Sequence, residues 1–104
     1  MNQSNISFIQ ATVVEEEVHM TMVELCQACN AEQEQVMAWV FEGVLEPVGE
    51  SPREWRFSGN SLRRARLALR LSRDLELTPP GVALALDLLD EITELRAQLL
   101  RSTP

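Results

Sequence analysis

The sequence predicts a small, mainly α-helical domain: two short helices in quick succession, a β-hairpin, a third helix and a long last one. Three features predict it. A helix-start signal stands at Thr21-Met22-Val23-Glu24, the apolar period changes from helical to alternating between residues 44 and 57, and no Pro or Gly interrupts the chain from Val82 to Thr103. With 104 residues the chain has room for one modest core.

Residues 1–17 read as an N-terminal arm. Ile6-Ser7-Phe8-Ile9 fits a short strand that Glu15-Glu16-Glu17 interrupts, and Val18-His19-Met20 fits a brief strand before the first helix. Thr21 and Glu24 have capping-box spacing, so the hydroxyl can accept from the third helical residue while the carboxylate reaches back. Val23, Leu25, Cys26 and Cys29 give this helix an apolar side, and Asn30 is a plausible stop.

The second helix is expected from about Glu32 to Phe41, with Val36, Trp39 and Val40 on its buried face. Gly43 suits its end, because glycine takes positive φ without a Cβ clash. Val44-Leu45-Glu46-Pro47-Val48 then reads as extended and Gly49-Glu50-Ser51-Pro52 as a turn. Glu54-Trp55-Arg56-Phe57 alternates, placing Trp55 and Phe57 on one face of a returning strand. Together these segments predict a hairpin wing attached to a helix-turn-helix.

Ser58 can cap a third helix reaching about Leu75, with Leu62, Ala65 and Leu69 as its core stripe. Thr78 can cap the last helix, where Pro79 loses nothing by lacking an N–H. Val82, Leu86 and Leu89 make one apolar stripe on it. Ala85, Leu88, Ile92, Leu95 and Leu99 make a second, at 3-4 spacing. One stripe should meet the core and the other a partner helix. The expected organisation is an arm (1–17), a winged helix-turn-helix (18–77) and a long C-terminal helix (78–104) that packs on the domain and dimerises through Leu88, Ile92, Leu95 and Leu99.

Charge is segregated. The net charge is −7, yet residues 1–52 hold nine carboxylates and no Arg or Lys, and residues 53–75 hold seven Arg against two acids. Asp87, Asp90, Glu91 and Glu94 fall at i, i+3, i+4, i+7 and so share one side of the last helix. Like charges at these spacings cost a helix about 0.2–0.5 kcal/mol per pair. The strip reads either as a docking site for a basic helix or as a solvated face paired with the chain's own arginines. Arg63, Arg66, Arg70 and Arg73 form a matching stripe on the third helix, suited to phosphates or to internal pairing.

Nucleic acid is disfavoured. A winged reader aims cations and amides from its second helix at the groove, whereas that segment here carries Glu32, Glu34 and Glu42 with no cation. Arg53 and Arg56 in the wing are the features that speak for DNA. Cys26-Gln27-Ala28-Cys29 lacks the ligands zinc requires, since His19 is the sole histidine, and it lies too far from a helix start for a redox pair. Both thiols are expected as core residues, like Trp39, Trp55 and Phe57, with one Trp a possible interface anchor. No catalytic set, metal site or cofactor site is expected. No apolar run is long enough to span a membrane and no secretory leader is recognisable, so a cytoplasmic location is expected.

The order of elements resembles the MerR-type winged helix-turn-helix fold. Several segments narrow the resemblance: Met22-Val23-Glu24-Leu25-Cys26, Gly43-Val44-Leu45-Glu46-Pro47, Trp55-Arg56-Phe57, and Arg70-Leu71-Ser72-Arg73-Asp74-Leu75-Glu76-Leu77. The most specific is Pro80-Gly81-Val82-Ala83-Leu84-Ala85-Leu86-Asp87-Leu88-Leu89-Asp90-Glu91-Ile92. Together, over about residues 18–100, they resemble the CbpM family of chaperone modulators. That resemblance implies a non-enzymatic homodimer that binds the J-domain of a DnaJ-like, CbpA-type co-chaperone and inhibits its stimulation of DnaK. It also suggests the binding surface: Asp87, Asp90, Glu91 and Glu94, or alternatively Glu32, Glu34 and Glu42. The competing expectation is a MerR-like DNA-binding transcriptional regulator.

Overall fold

The structure, a computed structural model, describes residues 18–102, so the arm and its expected strand at Ile6-Ser7-Phe8-Ile9 lie outside the described residues. Four helices follow one another: α1 (Met22–Cys29), α2 (Gln33–Phe41), α3 (Gly59–Asp74) and α4 (Pro79–Ser102). Their ends are set by local chemistry. At the start of α1 the Thr21 hydroxyl accepts from the Glu24 N–H at 3.2 Å, and the Thr21 N–H donates to the Glu24 carboxylate at 2.9 Å. Those bonds hold the Glu24 carboxyl below its ordinary range, the backbone N–H of Thr21 contributing most. Asn30 ends the helix in the left-handed region at φ 57°, which an Asn tolerates better than most residues.

At the end of α2, Gly43 has φ +79°, and the N–H groups of Gly43 and Val44 donate to Val40 and Trp39 carbonyls at 3.0 and 2.8 Å. This is a Schellman closure, and it turns the chain back beneath the helix. The Ser58 hydroxyl accepts from Ser61 at 3.2 Å to begin α3. The Thr78 hydroxyl accepts from Gly81 at 3.4 Å to begin α4.

The expected hairpin wing is not built as strands. Among the described residues two isolated antiparallel bridges take its place, Val48 with Arg56 and Met20 with Phe57. The cause is local: the chain between Val48 and Arg56 is mostly bends and turns, which leaves those two residues as the pair across the reversal. Its sharp reversal needs Gly49 at φ +130°, where a Cβ would lie 2.7 Å from the Glu54 carbonyl oxygen. The segment before α1 contributes through Met20, which exchanges two 2.7 Å backbone bonds with Phe57.

The core forms where these pieces converge. Leu25, Val36, Trp39, Leu45, Phe57, Val82 and Leu86 are essentially inaccessible to water, with Ala65 and Ala68 letting α3 approach closely. Trp55 is half-buried and meets Phe57 edge-on, the ring centroids 6.3 Å apart. The expected inner stripe of α4 stops early: Val82 and Leu86 are sealed, but Leu89 is 42% exposed. Only the first two turns of a helix about 36 Å long, at 1.5 Å per residue, rest on the core.

Thr21→Ala is expected to lower stability by about 1 kcal/mol in urea unfolding at neutral pH. The sign of the Glu24 effect follows from its depressed ionisation. Its contribution is present above the unfolded carboxyl pKa and is lost as pH falls through the lower folded value. Wild type and Glu24→Gln should therefore converge in stability as pH falls through the lowered carboxyl range, and differ most at neutral pH.

Candidate functional site

The four acids of α4 share one side and all are exposed. They differ in company. Arg64, on α3, places Nη1 3.3 and 3.2 Å from the two Asp90 carboxylate oxygens. Its Nε donates to the Val44 carbonyl at 2.8 Å. One guanidinium thus ties α3 to α4 and to the turn after α2. Glu94 accepts from Gln98 at 3.2 Å and from Arg101 at 3.5 Å, both on its own helix. Asp87 and Glu91 form no ion pair among the described residues. Even the paired groups stay wet, since the Asp90 side chain is 63% exposed. Internal arginines therefore blunt the strip without removing it.

Sequence reasoning had no means of singling out Arg64. It lies off the Arg63, Arg66, Arg70, Arg73 stripe, and its partners are 20 and 26 residues distant. Two members of that stripe make contacts within the chain, to backbone oxygens and not to carboxylates. Arg66 and Arg73 donate to the carbonyls of Ala28 and Asn30 at 3.4 and 3.5 Å, at the C-terminal end of α1. Neither pairs with an acid of α4. The cations sit where the helix leaves its last carbonyls unsatisfied and where its dipole is negative.

Beside Arg64 lies a polar groove of about 430 Å³ whose walls include Gly43, Glu46, Asn60, Asp87 and Asp90. Three carboxylates there face one guanidinium, so the groove favours a cation over an anion. The alternative acidic surface is on α2. Glu32 and Glu34 are exposed and line a shallow depression with Gln33 and Met37, while Glu42 is half-buried beyond the helix end. Phe41, the last residue of α2, is 88% exposed. In the sequence it marks the expected end of the second helix, and it lies off the Val36, Trp39, Val40 face.

Burial raises the thiol pKa of Cys26, as do the nearby Cys29 and Glu32. Burial is also the largest influence on Cys29, whose thiol is raised too. Both are therefore poor nucleophiles at neutral pH. Among the described residues no group of three His, Cys, Asp or Glu could hold a metal ion, and no helix is long and apolar enough to cross a membrane.

The family model for MerR HTH family regulatory proteins matches residues 20–102. The chaperone modulatory protein CbpM of Coxiella burnetii (strain Dugway 5J108-111) is 38% identical over 91 residues, covering 88% of this chain and 86% of that protein. The chain belongs to the CbpM family. CbpM of Pseudomonas putida (strain W619) is 41% identical over 81 residues, covering 78% of this chain and 80% of its own. CbpM of Pseudomonas entomophila (strain L48) is 38% identical across the same shares. The region that the MerR HTH family model matches takes in all four helices, the acidic strip of α4 and the exposed end of α2 among them.

The Arg64 tether makes unequal demands on its two partners. Arg64→Met leaves the Val44 carbonyl without its donor and should cost about 1–2 kcal/mol in urea unfolding. Asp90→Asn removes only an exposed ion pair and should cost less than about 1 kcal/mol.

Proposed function

We propose that this chain is a chaperone modulator that binds the J-domain of a DnaJ-like co-chaperone and so inhibits its stimulation of DnaK. The observation that carries the reading is the match, along 88% of the chain, to a protein named for chaperone modulation. The mode of binding rests on charge. Asp87, Asp90, Glu91 and Glu94 offer an anionic strip, with Glu32, Glu34 and Glu42 as the alternative surface, and the basic face of a J-domain helix is its complement. Occupying that face blocks DnaK by competition, without catalysis and in the cytoplasm.

A second copy of the chain completes the molecule in this reading. Leu88, Ile92, Leu95 and Leu99 are all exposed on α4 and recur at 4-3-4 spacing. Each is about a third to a half covered already, so burying the remainder is worth about 1–2 kcal/mol per side chain on each copy, to be set against the association entropy. The rival reading, a DNA-binding regulator, is favoured by the family model's description and by Arg53 and Arg56 beside the turn. It is opposed by the exposed face of α2, which carries Glu34, Met37 and Phe41 where a groove reader needs cations.

Titrating the purified chain into a cognate J-domain should show saturable binding, with association slowed by added salt. Glu91→Lys should weaken it. Absence of binding at low salt, or sequence-selective retention of DNA fragments at physiological salt, would displace this reading in favour of its rival.

Sedimentation of the wild-type chain at high micromolar concentration should give a dimer. Ile92→Lys with Leu95→Lys should give a folded monomer, because both positions are exposed in the single chain. A wild-type monomer would remove the second copy from the account.

A further inference from the structure

We propose that Phe41, supported by Met37 one turn earlier, is the apolar anchor of a docking surface for a basic amphipathic helix whose cations enter the adjoining acidic groove. This rests on the partner-binding reading above and adds which side chains grip the partner.

Phe41 is more exposed than any other large apolar side chain among the described residues. Val36 and Trp39, on the same helix, are sealed in the core, so the ring stands clear of it. Trp39 and Phe57 are the large side chains of the core, and Phe41 is not among the side chains packed against it. Glu34, Met37 and Phe41 follow one another at i, i+3, i+7, which places a carboxylate and two apolar groups on one stripe. An aromatic ring held in water on a rigid helix is the kind of group that dominates interface energies when a partner desolvates it.

The groove beside Arg64 begins two residues further on, at Gly43, and is walled by Glu46, Asp87 and Asp90. Two Cα–Cα steps of about 3.8 Å separate Phe41 from Gly43, so one docked helix can reach both the ring and the groove. Its charge identifies the occupant. Residues 1–52 contain no Lys or Arg, so neither α2 nor the turn after it supplies a cation of its own. A phosphate backbone meets Glu34 and is repelled. A second copy presenting this same face brings carboxylates against carboxylates. A helix that offers an apolar residue flanked by Lys or Arg satisfies both halves at once, covering the ring and neutralising the groove.

The test measures J-domain binding to the full chain, comparing wild type with Phe41→Ser, Met37→Ser and Leu75→Ser. The last is a control at another exposed apolar position. All four proteins should keep the same urea midpoint. Phe41→Ser should weaken binding by about tenfold or more, Met37→Ser by less, and Leu75→Ser by no more than about twofold. Wild-type binding that Phe41→Ser leaves unchanged overturns the anchor while the J-domain reading stands. Failure of the wild type itself to bind removes both. If Phe41→Ser instead lowers the oligomeric state in sedimentation, the face belongs to a second copy and the proposal is wrong.

Discussion

Trp39, Phe57 and Leu25 build a core that α4 closes with two fully sealed side chains, Val82 and Leu86. That limit governs the rest of the molecule. A domain of this size cannot cover a 24-residue helix, so α4 runs on past the core with apolar residues on one side and acids on another. Among the described residues its distal apolar side chains Leu88, Ile92 and Leu95 stay about half exposed. Its acids are repelled by one another and only partly relieved. The features that bear on partners are thus products of a core smaller than the helix laid across it.

Arginine use shows how the fold manages its charge. Arg66 and Arg73 serve carbonyls at the end of α1, and Arg64 serves a carbonyl and one acid of α4. A planar guanidinium can address several acceptors in fixed directions, which a lysine ammonium does less well. Three of the cations therefore join elements through backbone oxygens more than they cancel carboxylates. The negative surface survives because the positive charge is committed elsewhere.

Much of the fold was legible because its signals are local. Thr21 and Glu24, Gly43, Ser58 and Thr78 mark helix ends through bonds spanning three to five residues, and all act as their spacing implied. The wing was misjudged because alternation at Glu54–Phe57 reports which side chains share a face, not whether the backbone is paired over any length. Phe57 is indeed buried with Trp55 beside it, yet the long reversal from Gly49 leaves a single bridge across the turn, Val48 with Arg56. Leu89 was overrated because periodicity does not reveal where a core ends. For the candidate site, the acid strip was visible as a helical spacing. Arg64 and the exposure of Phe41 were not, since both depend on what other elements do: Arg64 on partners far along the chain, and Phe41 on which side chains the core takes in.

The divided grip of Arg64 gives the acid on α4 an unusual freedom. Nε stays bonded to the Val44 carbonyl whatever happens at Nη1, and the side chain is a quarter open to solvent. Asp90 can therefore exchange counterions without stranding a desolvated charge behind it. An incoming lysine or arginine competes for Asp90 with a guanidinium that keeps its backbone bond and gains water in return.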